Sequence, residues 1–127
     1  MDGFIRRLQQ YDDYICLGGV AIDSIENAEN TLGVSFSVEY KEYLKTCGMA
    51  TANGHEFSGI GKSKRLSVVE MTTALRNRVT IPKEMYVVEK LAIDGIVVTQ
   101  VENGNVYQVY SNGDSTKIAD SLEEYLI

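Results

Sequence analysis

The residues best equipped for chemistry are few: one histidine, His55, and two cysteines, Cys16 and Cys47. A Cys47–His55 pair would give a thiolate nucleophile and its base, the basis of a small thiol enzyme. Against that, Cys47 falls inside an apolar helical stripe, where a thiolate is costly. His55 sits in the polar stretch Asn53-Gly54-His55-Glu56, which reads as an exposed loop. The cysteines do not form a C-x-x-C pair, so zinc and dithiol redox chemistry have little support. Both read as buried, reduced thiols acting as small hydrophobes. Gly59-Ile60-Gly61-Lys62-Ser63 carries part of a phosphate loop but lacks its glycine spacing, and reads as a turn followed by solvated lysines. The carboxylate pairs Asp12-Asp13 and Glu123-Glu124 would project about 100° apart on a helix, so neither converges on one substrate. Asn112-Gly113-Asp114 is too short for a calcium loop. Tyr11, Tyr40 and Tyr43 fall on apolar stripes and read as core. No catalytic residue, metal ligand set or cofactor is expected.

The elements that position these residues follow from periodicity. Phe4, Leu8, Tyr11 and Ile15 repeat at helical spacing, which predicts a helix over about 3–16 with Asp2 as its cap. Asp23-x-x-Glu26 predicts a capping box for a second helix with Ile25, Ala28 and Leu32 inward and Gly33 at its end. Ser37 is a candidate cap for a third helix carrying Tyr40, Tyr43, Leu44 and Cys47, closed by Gly48. Residues 49–65 are polar and glycine-rich, with a short strand expected around 56–60. Ser67-x-x-Glu70 is a capping box, with Leu66 and Met71 at the positions of a hydrophobic staple. It starts a fourth helix with Val68, Met71, Leu75 and Val79, and Pro82 blocks its extension.

From Met85 the period changes. Residues 86–91, 96–102 and 106–110 are rich in β-branched and aromatic residues. Asp94-Gly95 and Asn103-Gly104 are hairpin turns, and Asn112-Gly113 leads into a strand at 116–118. Asp120-x-x-Glu123 is expected to cap a last helical turn. Helices, a strand, a helix and then a meander predict a single α+β domain over 1–127, with N-terminal helices packed on an antiparallel sheet.

A chain of 127 residues with 44% hydrophobic and 24% charged residues is globular in composition and long enough to build its own core. No apolar run approaches a membrane span. The first residues lack the order of a secretion signal, so the cytoplasm is the expected compartment. The net charge of −6 disfavours nucleic acid as a partner. That charge is uneven. Lys62, Lys64, Arg65, Arg76, Arg78 and Lys83 stand against Glu70 alone within 62–83, a net of +5, which leaves −11 for the remainder. This reads first as a solvated helix face beside an acidic body; the sharper reading is a negative field that attracts a basic partner.

One stretch is more specific. Ala28-Glu29-x-x-Leu32-Gly33-x-x-Phe36-Ser37-x-x-Tyr40-x-x-Tyr43-Leu44 resembles the signature of the SMI1/KNR4 superfamily, also called SUKH. That signature reads Leu-Glu-x-x-Leu-Gly-x-x-Leu-Pro-x-x-Tyr-x-x-Phe-Leu. Gly59-Ile60 and the later element order resemble the family as well, over about 22–127. Ser37 stands where the family has Pro, and both favour a helix start. Physically, Leu32, Phe36, Tyr40 and Leu44 pin two helices together. Gly33 turns the corner, and Glu29 is placed to bond backbone groups or a helix end.

The resemblance implies a non-enzymatic protein. Many bacterial members look like immunity proteins that bind a cognate toxin domain, often a nuclease, and occlude its active site; yeast members act in cell-wall signalling scaffolds. The expected partner is therefore a basic toxin domain, with a regulatory or scaffold module as the alternative. Monomer or weak homodimer is the expected state. Contact is expected from loops and one sheet edge, through residues in or beside loops, where acidic side chains project at no cost to the fold: Glu56, Asp94, Glu102, Asn103 and Asp114.

Overall fold

A computed structural model describes residues 3–61, 63–93 and 95–127. Asp2, Lys62 and Asp94 lie outside them. Among the described residues five helices accompany a seven-stranded, wholly antiparallel sheet. The change of period at Met85 marks the start of its larger half. There β4 (Tyr86–Lys90), β5 (Val97–Gln100), β6 (Val106–Val109) and β7 (Ser115–Ala119) form a meander. The other half is β1 (Ile15–Cys16), β2 (Ala50–Ala52) and β3 (His55–Phe57), joined to β4 through Phe57 opposite Glu89. Strand order equals chain order, which leaves β1 and β7 as edges.

The helices cover the two faces unequally. Phe57, Tyr86, Val88, Val98 and Val106 share one face and one core with Phe4, Tyr43, Leu44 and Leu126. These come from α1 (Gly3–Leu8), α3 (Val38–Thr46) and the short C-terminal α5 (Leu122–Leu126). Leu32 of α2 (Ile22–Leu32) joins the same core. On the opposite face α4 (Val68–Arg78) alone covers Val87, Val97 and Val109 through Leu75. Phe36, Tyr40 and Tyr86 meet edge-on or tilted, with ring centroids 4.8–5.1 Å apart. Each such pair contributes about 0.5–1.5 kcal/mol beyond area burial. Their hydroxyls are satisfied: Tyr40 donates to Ser58 Oγ at 2.8 Å, and Ser58 Oγ donates onward to Val87 O at 2.7 Å. Tyr43 donates to Ser58 O at 2.8 Å and accepts from Ala50 N at 3.0 Å. Burial holds the phenols of Tyr40, Tyr43 and Tyr86 well above the ordinary tyrosine range. Gly59 passes so close to the Gly48 carbonyl that a Cβ there would overlap it.

Local boundaries depart from the periodicity in several places. The first helix ends at Leu8 and not near residue 16. Asp12 and Asp13 would place two negative charges in its last turn, against the helix dipole. Asp13 instead accepts from Asn53 N at 2.6 Å and Gly54 N at 2.8 Å. Those amides hold its carboxyl below the usual range. Tyr11 is half-buried, and Ile15 is exposed on an edge strand. The cap of α2 is Ala21 without a side-chain bond, so Asp23 lies in the first turn and is not the cap. Ser121 caps α5, accepting from Glu124 N at 3.0 Å, one residue later than the Asp120-x-x-Glu123 reading. The β2–β3 hairpin replaces the expected loop: Asn53 and Gly54 both have positive φ, as a tight turn requires. The strand expected over 56–60 is β3, followed by a single parallel bridge from Gly59 to Ser67. Ser37 and Ser67 cap α3 and α4, accepting from Tyr40 N at 3.0 Å and Glu70 N at 3.2 Å.

Candidate partner-binding surface

The signature residues build a frame and present no open site. Glu29 Oε2 accepts from Phe36 N at 2.8 Å, tying α2 to the entry of α3, and Lys41 Nζ lies 3.7 Å from the same oxygen. Gly33 takes the left-handed conformation, φ 67°, that closes α2. Leu32, Phe36, Tyr40, Tyr43 and Leu44 are all buried. Next to them runs a polar chain that periodicity does not reveal. Buried Gln100 accepts at Oε1 from Ser37 Oγ (3.0 Å) and from Tyr86 OH (2.8 Å). It donates from Nε2 to Glu39 Oε1 and Gly104 O, both at 3.0 Å. Glu39 in turn accepts from Leu122 N at 2.6 Å and Glu123 N at 3.1 Å, so its carboxylate sits at the N-terminus of α5.

The cysteines are not separate thiols. Cys16 on β1 and Cys47 at the end of α3 are joined as a disulfide, with Cα atoms 4.9 Å apart. The reading as reduced hydrophobes failed because the expected long first helix carried Cys16 away from α3. Pairing of β1 with β2 brings it back, through Cys16 opposite Ala50. A Cys47–His55 catalytic pair is thereby removed.

His55 is not in an exposed loop. It lies on β3 with Nδ1 2.9 Å from Glu89 Oε1, and Glu89 is buried. Tyr125 OH donates to the same carboxylate oxygen, and Glu56 N donates to Oε2 at 3.3 Å. The hydrogen bond to Glu89 raises the His55 pKa, opposed by partial burial. This node fastens α5 to the sheet. A glutamate directly after the apolar run Tyr86-Val87-Val88 was its only sequence signal, and Asn53-Gly54 was the signal for the missed hairpin.

The expected contact residues do not converge. Glu102 and Asn103 lie in the β5–β6 turn, and Asp114 lies in the β6–β7 turn. The four residues of β6 separate those turns by about 14 Å. Glu56 is on β3 at the same end of the sheet as Asp114, and its carboxylate meets Arg65 at 3.1 Å. Asn103 Oδ1 accepts from Asn105 N, and Asn112 bonds Asp114 through both its amide groups, all at 3.0 Å. Glu102 and Asp114 are exposed. Asp94 lies outside the described residues.

The basic segment is partly structural. Arg76 donates to Leu32 O at 2.8 Å and Lys83 O at 3.0 Å. Lys64, Arg65 and Arg78, with Lys90 of β4, instead rim a groove of about 430 Å³ between α4 and the sheet. Met71, Ala74, Leu75, Val87 and Val97 line its floor. No group of three or more His, Cys, Asp or Glu among the described residues could hold a metal. No helix there is long and apolar enough to cross a membrane.

A search of curated proteins returned no match. The profile of one family, described as SUKH_5, SMI1-KNR4 cell-wall, matches residues 1–127. With that match over the whole length, and the signature residues forming the α2–α3 corner, the chain belongs to the SMI1-KNR4 family.

Proposed function

We propose that this protein is an immunity protein that binds a toxin domain and blocks its active site by occlusion. The observation that carries the reading is the family match over all 127 residues, since the family's bacterial members are in general non-enzymatic immunity proteins. The net charge of −6 supports a basic partner such as a nuclease domain, by steering encounter. The proposed setting is the cytoplasm. The proposed contacts are Glu56, Asp94, Glu102, Asn103 and Asp114. Because Glu102 and Asn103 stand at the opposite end of β6 from Asp114, a partner seated on one end of the sheet uses one set and leaves the other idle. The family description mentions the cell wall, which supports a scaffold module as the second reading.

The test is a pull-down of tagged protein from its host with the neighbouring toxin domain co-expressed. A stoichiometric toxin partner that survives moderate salt supports the proposal. Recovery of a different stable partner, with no toxin, moves the assignment to the scaffold.

A further inference from the structure

The groove beside α4 adjoins the proposed contact Glu56 through Arg65 and is lined by Gly95 of the β4–β5 turn, but its own chemistry has the opposite sign. Its described lining residues include four cations, Lys64, Arg65, Arg78 and Lys90, and one anion, Glu70. The protein as a whole carries −6, so this concentration of positive charge is local. The long side chains at its ends are held in place. Arg78 Nη1 donates to Gly95 O at 3.4 Å, and Arg65 is paired with Glu56 at 3.1 Å. That second pair is exposed on both sides, so an incoming carboxylate exchanges for Glu56 at little cost.

The floor is apolar, and it exists because α4 is the sole helix on this face. Leu75, Val87 and Val97 are covered by one another, but Met71 is half-buried and Ala74 exposed beside them. A neighbouring cavity of about 530 Å³ shares Arg65, Met71 and Lys90 and continues the groove to Leu91 and Ala92, and is also lined by Glu56 and Glu89, already paired to Arg65 and His55. The eleven residues of α4 give the groove a length of about 16 Å, room for roughly five extended residues of a second chain.

We propose that the α4 groove binds an acidic segment of a protein partner, with apolar side chains on the Met71–Ala74–Val97 floor and carboxylates at Lys64, Arg65, Arg78 and Lys90. Cations alone would suit any polyanion. The apolar floor between them selects a peptide that alternates acid with hydrophobe, and a phosphate backbone has nothing to place there. This inference goes beyond the immunity reading and does not depend on the partner being a toxin.

The probe is a fluorescein-labelled peptide repeating Leu-Glu-Glu, titrated by anisotropy at low salt. Controls are a Leu-Lys-Lys peptide, an oligoglutamate and a single-stranded oligonucleotide. The expected result is saturable binding of Leu-Glu-Glu, weaker binding of oligoglutamate and none of Leu-Lys-Lys. The double variant Lys64→Glu, Lys90→Glu should lose about tenfold in affinity, because each reversed rim charge removes one attraction and adds one repulsion. Ala74→Glu, on an exposed helix position, should lose as much by filling the floor. Circular dichroism should show all variants folded. No binding of Leu-Glu-Glu, or binding untouched by both variants, overturns the proposal. So does oligoglutamate or the oligonucleotide binding as well as Leu-Glu-Glu, or a dimer in sedimentation that the double variant dissolves, which would make a second copy the occupant. The pull-down described above is scored separately, with the same variants, so failure here leaves the immunity reading standing.

Discussion

Gln100→Leu is the sharpest probe of the frame, because Gln100 is fully buried and uses all four of its hydrogen-bonding positions. The amide has one workable orientation. Glu39 cannot donate, so Nε2 must face it and Oε1 must face the Ser37 and Tyr86 hydroxyls. Leucine keeps the volume and removes every bond. Ser37 Oγ and Tyr86 OH are then left without acceptors, at about 1–3 kcal/mol each. Glu39 loses one donor and keeps the amides of Leu122 and Glu123. Added apolar burial returns about 1–2 kcal/mol. The expected net loss is about 2–4 kcal/mol, a large part of the about 5–15 kcal/mol that holds a domain together. In urea unfolding followed by circular dichroism, the midpoint should fall by about 1 M or more with the slope unchanged. Gln100→Glu is the companion variant. It can still accept from both hydroxyls but sets a second carboxylate against Glu39, so its deficit should shrink as pH is lowered. A Gln100→Leu midpoint that implies less than about 1 kcal/mol, or a deficit in Gln100→Glu insensitive to pH, would refute the reasoning.

Three further outcomes are expected. His55 is the sole histidine, so its proton NMR titration is unambiguous, and its midpoint should lie above the ordinary 6.5 because Glu89 bonds the ring. A raised folded pKa means the stabilisation is full below about pH 6.5 and is lost as pH rises through the folded value. His55→Asn should flatten that part of the stability curve, and a wild-type curve with no such fall contradicts the pairing. The Cys16–Cys47 bond closes a loop of 31 residues, worth about 3–4 kcal/mol in loop entropy. Oxidised protein should show no free thiol in denaturant, and reductant should lower its urea midpoint; two free thiols would contradict the bond. A reducing cytoplasm would open the bond, so the reduced domain must also fold for the proposed setting to hold. Charge reversal at Asp114 and Glu56 on one end, and at Glu102 on the other, should weaken toxin binding from one set alone; no effect from either removes these residues from the interface.

The meander was legible because β-branched runs and Asx-Gly turns are local signals, and β4 to β7 lie within a residue or two of their expected bounds. The helix caps at Ser37 and Ser67 are equally local. The Asn53-Gly54 hairpin and the caps of α2 and α5 were local misses; the larger ones were non-local. Asp13 leaves a helical pattern to hold a turn 40 residues away, and Cys16 finds Cys47 only through a strand pairing. The polar nodes at Gln100 and Glu89 join β5 and β4 to α5, which no spacing within one element reports. Acidic turn residues could be named from sequence, but placing Glu56 at the Asp114 end of the sheet needed the strand order.

The central claim is neutralisation of a toxin, and the most direct measurement is a titration. The toxin domain recovered as its partner is assayed for its own activity while this protein is added at increasing molar ratio. The account expects activity to fall linearly and vanish at one equivalent. Full toxin activity in the presence of excess folded protein would contradict it.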